Sequence, residues 1–178
     1  MSYFVIQVVT RGEVKYLQLA EKALNTGGLE EKGRLLLPRR NLETRKHGNV
    51  KENLLPLYPG YLFYRSDGVQ PDVYRTLRRI PGYCRFLKYG DRPEPLSGED
   101  EKTLIHFLSF GEVVESSRVY FDENDRVRVV SGPMSGLEGR IVKVNKRKKR
   151  AKIRLSLYED SFSVDFPFEI IEQAVEKK

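Results

Sequence analysis

The chain has 178 residues, with 32 Lys and Arg against 25 Asp and Glu, which gives a net charge of +7. This length suits one ordinary domain or two small ones, and an apolar fraction of 39% is enough for a packed core. The single cysteine excludes an intramolecular disulfide, and no apolar run reaches the length that spans a bilayer. We expect a cytoplasmic protein without signal peptide or membrane segment, and the positive charge favours a polyanionic partner.

Catalytic and metal-binding motifs are scarce in the sequence. His47 and His106 lie far apart and have no spaced Cys or Glu partner, so a zinc site has little support. Neither G-x-x-x-x-G-K-[ST] nor G-x-S-x-G occurs. Cys84 lies in an aromatic-rich run and is expected to be a buried thiol of the core instead of a nucleophile. We therefore expect neither an enzyme nor a bound cofactor.

The predicted elements of the first half alternate between strands and helices. Apolar, β-branched and aromatic residues predict strands over 3–9, 34–37, 61–65 and 84–89. Helical spacing of apolar residues predicts helices over 13–24, 71–80 and 97–108, the first of them capped by Thr10. The polar stretch 38–53 is expected to be a loop or a mobile hairpin. This order favours an α+β fold, with helices covering an antiparallel sheet.

The second half contains short predicted strands and no helix. We expect an N-terminal domain over 1–110, a linker over 111–122 and a C-terminal domain over 123–178. The predicted strands of this last domain lie at 126–130, 139–144, 151–156, 162–166 and 170–171. Short strands at this spacing are typical of a small β-barrel.

Sequence motifs in both halves resemble those of one known family. Residues 125–142 read DRVRVVSGPMSGLEGRIV and closely resemble the KOW motif of transcription elongation factors and some ribosomal proteins. In the first half, the runs LYPGYLF, RIPG and DRPEPLS are similar to successive landmarks of the NusG N-terminal domain. The resemblance to the NusG family covers roughly residues 3 to 175.

This resemblance implies that the N-terminal domain binds the clamp helices of RNA polymerase, close to upstream DNA. A binding face of this kind needs exposed aromatic side chains, and the candidates are Tyr16, Tyr58, Pro59 and Tyr61. The alternative is that these tyrosines belong to the core. A second candidate region matches the place where family members touch the opposite side of the polymerase cleft or nucleic acid; it comprises Tyr74, Arg75, Thr76, Arg78 and Arg79.

A basic segment distinguishes this chain from a general family member. Residues 140–154 include nine basic side chains and no acidic one: Arg140, Lys143, Lys146, Arg147, Lys148, Lys149, Arg150, Lys152 and Arg154. Five consecutive cations at a predicted hairpin tip repel one another and do not help folding. We therefore expect this segment to bind RNA, the alternative being a solvated turn that protects a sheet edge.

The loop after the third barrel strand also departs from the family pattern. Family members present apolar residues there, followed by glycine and a basic residue, and use them to bind Rho and a small-subunit ribosomal protein. Here Leu157 and Tyr158 precede Glu159 and Asp160, so the charge is inverted. We expect weak binding to Rho, whereas contact with the small ribosomal subunit stays open.

These features together are similar to those of the LoaP-type antiterminators. The interpretation is a monomeric, specialised elongation factor that suppresses pausing and binds an RNA hairpin in a transcript leader. One alternative is a general factor that couples polymerase to Rho or the ribosome without RNA specificity. Another is a ribosome-associated RNA-binding structural protein.

Overall fold

The computed structural model describes residues 1–89 and 92–172. The chain divides into two compact units, one formed by Met1–Arg39 with Pro56–Leu108 and the other by Arg40–Leu55 with Ser109–Lys178. The domain boundaries expected from the sequence stay a prediction, and the two units differ from them because residues 40–55 belong with the second unit. Asp91 of the DRPEPLS run and the chain end at 173–178 lie outside the described residues.

The elements confirm the α+β class. In chain order they are β1 (Ser2–Val8), α1 (Glu13–Thr26), β2 (Arg34–Leu36), β3 (Arg39–Lys46), β4 (Asn49–Pro56), β5 (Tyr61–Ser66), α2 (Pro71–Arg78), β6 (Tyr83–Phe86), β7 (Lys88–Tyr89), β8 (Arg92–Pro93), α3 (Gly98–Leu108), β9 (Val113–Val114), β10 (Ser117–Phe121), β11 (Val127–Ser131), β12 (Ile141–Asn145), β13 (Arg150–Leu157) and β14 (Asp160–Ile170). The polar stretch that was expected to be a loop or hairpin is the β3–β4 hairpin.

The first unit is built on a four-stranded sheet in the order β2-β5-β1-β6. Strand β1 pairs antiparallel with both of its neighbours. Because side chains alternate along a strand, Phe4, Ile6 and Val8 share one face. They belong to one core cluster with residues of α1 and α2, which include Tyr16, Ala20, Leu24, Val73 and Leu77. Val5, between these positions, is also fully buried, so both faces of the central strand are covered.

A buried carboxylate holds the tight turn before β5. The backbone amide of Gly60 donates to Oε1 of Glu13 over 2.7 Å, and the Gly60 carbonyl accepts from the amide of Val8 over 2.8 Å. Gly60 has a φ of 86°, a conformation that favours glycine. The predicted helix cap at Thr10 is wrong, because the residue before α1 is Gly12 and no side chain caps that end.

Tyr64 is another buried residue of this unit that carries a polar group. A Cβ on Gly33 would lie only 2.5 Å from the Tyr64 hydroxyl, so the ring packs directly against the glycine backbone. Tyr64 is fully buried, and its hydroxyl has no hydrogen-bond partner within the described part of the chain. Burial, together with a smaller effect of the Asp72 charge, raises the pKa of Tyr64 to about 12.

The second unit contains a five-stranded sheet in the order β11-β10-β14-β13-β12, which curls into a half-barrel. Part of the expected linker forms β10, which pairs antiparallel with β11 and parallel with β14. The last two predicted strands are one continuous strand, β14, which pairs with β13 over residues 160–167 and with β10 over 168–170. A separate sheet, in the order β4-β3-β9, belongs mainly to this unit.

The first prediction concerns the Glu13 carboxylate. We expect Glu13→Ala to lower the free energy of unfolding by about 1.5–3 kcal/mol, because it leaves the buried Gly60 amide without its charged acceptor. Glu21→Ala, at an exposed position of the same helix, should change it by less than about 0.5 kcal/mol. Urea denaturation of both variants measures the difference, and equal stabilities would contradict the role of Glu13.

The second prediction concerns alkaline pH. An unfolded tyrosine ionises near pH 10, while folded Tyr64 keeps its proton to about pH 12, so the unfolded state is favoured as pH rises through this window. Tyr64→Phe should reduce this loss of stability and leave stability near pH 7 almost unchanged. Urea denaturation at about pH 7 and about pH 11 tests it. A parallel loss in both proteins would assign the alkaline effect to other groups.

Candidate functional site

The turn of the basic segment is held by hydrogen bonds to the Asn145 side chain and to β14. Asn145 and Arg150 lie opposite each other at the ends of β12 and β13, and the Lys148 amide donates to Oδ1 of Asn145 over 2.9 Å. The Lys149 carbonyl accepts from the amide of Phe168 on β14 over 3.0 Å, and Lys149 has a φ of 52°. The turn is therefore a defined structure that displays exposed Arg147, Lys148 and Lys149.

Lys146, also expected to bind RNA, makes contacts inside its own unit. Its ammonium group forms an ion pair with Asp125 and lies 4.1 Å from the centroid of the Phe121 ring. The ion pair is solvent-exposed and contributes little stability, and the cation–π contact adds a modest amount. These contacts offset part of the charge repulsion at the turn.

Strand β13 places three of the remaining cations on one face of the half-barrel. Its residues Ala151, Ile153, Leu155 and Leu157 are buried at 1% exposure or less. Because side chains alternate, Arg150, Lys152 and Arg154 project from the opposite face, about 6.8 Å apart. Lys143 of β12 lies opposite Lys152, which brings two ammonium groups into one row. The predicted RNA-binding residues therefore lie on one outer face as well as in the turn, and Asp165 of β14 shares that face opposite Lys152.

The Arg150 end of this face contacts the β3–β4 hairpin. The Arg150 guanidinium donates from Nη2 to the carbonyl oxygen of Glu43 over 2.8 Å. Arg40 of the same hairpin is 7% exposed, and burial lowers its pKa to about 10, an effect that Asp165 opposes and Arg150 reinforces. Sequence reasoning did not bring Arg40 and Asp165 together, because they come from distant parts of the chain.

A groove of about 360 Å³ opens on the other end of the same sheet face. It is lined by residues of β12, β13 and β14 and of the turn before β12, namely Gly139, Arg140, Val142, Arg154, Ser156 and Ser161. Arg140 and Arg154 were predicted to bind RNA, whereas the two serines were not. Ser156 lies directly opposite Ser161 on the paired strands, so their hydroxyl groups share the outer face.

Helix α2 brings together the second set of candidates in the first unit. Tyr74 stacks on Phe86 with 5.4 Å between ring centroids, and the Arg78 guanidinium lies over the Tyr74 ring at 5.4 Å. A shallow depression of about 220 Å³ is lined by Asp72, Arg75, Thr76 and Arg79. Arg75, Arg78 and Arg79 have exposed side chains that a partner can reach. Their contact with nucleic acid or polymerase stays a prediction.

The expectation that Tyr16, Tyr58 and Tyr61 are exposed is wrong. They are 1%, 1% and 6% exposed, respectively. The Tyr16 hydroxyl donates to the Leu77 carbonyl over 3.0 Å, and burial raises its pKa. The Tyr58 ring packs edge-on against Phe63 and Phe107, with centroids 5.1 and 6.4 Å away. Their large apolar rings fill space between sheet and helices, as the alternative interpretation holds, and Pro59 between two of them is half-buried.

Two further expectations are corrected by exposure. Leu157 is 1% exposed and packs inside the half-barrel, so of the two predicted loop residues Tyr158, at 40%, is the accessible one. Tyr158 has a φ of 54°, which places it at the point where the chain reverses between β13 and β14. Cys84 is exposed on the edge strand β6, where it is the bulged residue between Tyr83, which pairs with Val8, and Arg85, which pairs with Gln7.

Residues 1–89 and 92–172 contain no group of three or more His, Cys, Asp or Glu side chains placed to hold a metal ion. Over the same ranges, none of the helices has the length and hydropathy that a membrane span requires.

Core packing of Tyr58 leads to the third prediction. Tyr58→Ala should lower the free energy of unfolding by about 3–5 kcal/mol, because it leaves a cavity between β5 and α3. Tyr58→Phe retains the ring contacts and should cost less than about 1 kcal/mol. Thermal and urea denaturation measure both values. An unchanged stability of Tyr58→Ala would contradict the core packing of this ring and support a role at the surface.

Comparisons with known proteins agree with this architecture. Residues 1–105 match the family described as "Transcription termination factor nusG", and residues 123–154 match the KOW motif. The "Transcription termination/antitermination protein NusG" of Thermus thermophilus is 26% identical over 182 residues, which cover 98% of this chain and 99% of the relative. The protein of the same name from Helicobacter pylori is 23% identical over 179 residues, covering 99% and 98%.

A solved structure titled "Domain interaction in Thermotoga maritima NusG" has a similar fold. It matches with a TM-score of 0.62 and 20% identity and covers 93% of each chain. The family match spans more than half of the chain and contains the sheet and helices of the first unit, and the KOW match lies in the half-barrel. This chain therefore belongs to the NusG family of transcription termination and antitermination factors, with a KOW motif in its second unit.

Proposed function

We propose that this protein is a specialised antitermination factor that binds RNA polymerase through its first unit and RNA through its second. Binding to the clamp helices positions the first unit across the polymerase cleft and suppresses pausing. Binding of an RNA hairpin in a transcript leader restricts the activity to selected operons. The protein acts in the cytoplasm as a monomer and needs no cofactor, because its role is to hold two macromolecules together.

The charge of the second unit is the observation that carries this proposal. Nine cations occur between residues 140 and 154 without an acidic residue, and they include the exposed turn and the outer face of β13. Binding to phosphates releases condensed counterions, so a row of cations on a rigid sheet supports salt-dependent RNA affinity. Stability alone does not require this arrangement, since neighbouring like charges repel each other.

The first unit supports the polymerase-binding half of the proposal through α2. Its exposed arginines lie together at the C-terminal half of the helix, beside a ring that is anchored in the core by stacking. An anchored helix of this kind presents guanidinium groups in fixed positions, which suits contact with polymerase or with the phosphates of upstream DNA. Tyr16 supports this helix from below through its hydrogen bond to the Leu77 carbonyl, whereas Tyr58 and Tyr61 are buried elsewhere in the core and are not accessible for the contact.

A general elongation factor is the second candidate function. Tyr158 is the observation that favours it, because an exposed aromatic residue in the β13–β14 turn is suited to contact a protein such as Rho or a subunit of the small ribosomal particle. The acidic residues Glu159 and Asp160 that follow it distinguish this loop from the family pattern described above.

Crosslinking of the protein to RNA in cells, followed by sequencing, tests the proposal. We expect reads concentrated in one or a few transcript leaders, together with recovery of RNA polymerase by affinity capture of the same protein. Reads distributed over most transcripts, with polymerase still recovered, would favour the general factor. Recovery of ribosomal subunits without polymerase would overturn both and support a ribosome-associated protein.

A further inference from the structure

The groove on the outer face of the half-barrel has the chemistry of an anion site. The residues lining it provide two guanidinium groups and two hydroxyl groups, and none of these lining residues is acidic. Its volume of about 360 Å³ is at the lower end of the roughly 300–1,000 Å³ range of small-ligand sites, which suits a single nucleotide unit. Guanidinium and hydroxyl groups are common donors to phosphate oxygens in nucleic-acid complexes.

The sheet places these donors on a rigid support. Arg154 and Ser156 alternate with buried Ile153 and Leu155, and Ser161 lies opposite Ser156 in a continuous antiparallel ladder. Leu157, directly beyond Ser156, is also buried, so the strand is anchored on both sides of the groove. Donors carried by strands lose little freedom when they bind, which favours a defined ligand position over diffuse charge attraction.

The basic row continues from the groove along the same strand. Lys152 projects about 6.8 Å before Arg154, a separation comparable to that of neighbouring phosphates along an extended nucleic-acid strand. Lys143, opposite Lys152, widens the row. In the other direction, the exposed ring of Tyr158 lies two residues beyond Ser156, where a base can stack on it. One face of β13 thus offers contacts for successive nucleotides.

We propose that this groove is a phosphate-binding subsite for an unpaired RNA strand that runs along β13, with Arg154, Ser156 and Ser161 as the groups that bind the phosphate. The inference rests on the proposed function, because it assigns RNA binding in the second unit to the sheet face in addition to the β12–β13 turn. Lys152 and Lys143 contact the next phosphate, and Tyr158 stacks on a base at the opposite end. Unpaired nucleotides are the part of an RNA that an open sheet face can bind in this way.

Binding of a short oligouridine to the full-length chain tests the subsite, because the proposed contacts are to the backbone. We compare Arg154→Gln with Arg118→Gln, which removes the same charge from an exposed position of β10, and with the double change Lys148→Gln and Lys149→Gln in the turn. Arg154→Gln should weaken binding about tenfold and lower the salt dependence by roughly one ion. Arg118→Gln should change it by less than about twofold.

NMR titration of the unaltered chain gives an independent readout. The amides of 154–156 and 161–163 should shift on addition of oligouridine, and the same spectra confirm that each variant remains folded. A methylphosphonate oligomer, whose backbone is neutral, should no longer distinguish Arg154→Gln from the unaltered chain. Oligothymidine of equal length presents the same phosphates, so Arg154→Gln should weaken its binding to a similar extent; a loss of affinity confined to oligouridine would overturn the phosphate assignment.

The outcomes separate this inference from the proposed function. If oligouridine and structured RNA both fail to bind the unaltered chain, the proposed function is overturned together with the subsite. If RNA binds and only the turn variant loses affinity, the proposed function stands and the subsite is wrong. Loss of affinity in Arg154→Gln, with shifts at the groove, supports the subsite.

Discussion

Side-chain alternation along β13 is the constraint on which the second unit depends. Ala151, Ile153, Leu155 and Leu157 pack into the half-barrel, and this fixes the register of β13 against β12 and β14. A shift by one residue would bury arginine and lysine side chains and expose the core, at a free-energy cost that no surface contact offsets. The same packing that stabilises the sheet therefore directs its cations to the outer face.

The cations on this face repel one another, which destabilises the fold, and local contacts reduce that repulsion. Lys146 pairs with Asp125 and lies over Phe121, and Arg150 donates to the backbone of Glu43. Arg40 remains buried near Asp165 with a lowered pKa, which shows how strongly burial acts on a guanidinium group. The cations with these contacts lie near the turn end of the sheet, while Arg154 and the groove lie at the other end. The two ends of one strand thus have different chemistry.

The first unit uses its aromatic residues differently. Tyr16, Tyr58 and Tyr64 fill the core on the two sides of the sheet. The Tyr16 hydroxyl donates to the Leu77 carbonyl, and the Tyr64 hydroxyl packs closely against Gly33. Glu13 fixes the turn that leads into β5. With the core completed in this way, the accessible groups of α2 are arginines on a helix whose Tyr74 is anchored by Phe86. The exposed surface of α2 therefore presents charged groups supported by buried rings.

The amino-acid sequence by itself determined the α+β class, the order of most elements, the family resemblance and the set of nine cations, because these follow from periodicity, local motifs and composition. It did not reveal that three tyrosines are buried or that Cys84 is exposed, since apolar and aromatic residues have the same pattern in a core and at an interface. Tertiary structure decided that Ser156 and Ser161 join Arg154, that Arg150 meets Glu43 and that residues 117–121 belong to a sheet. These relations depend on strand pairing between segments distant in the chain, and the register of such pairing results from the packing of the whole core and not from any local stretch of residues.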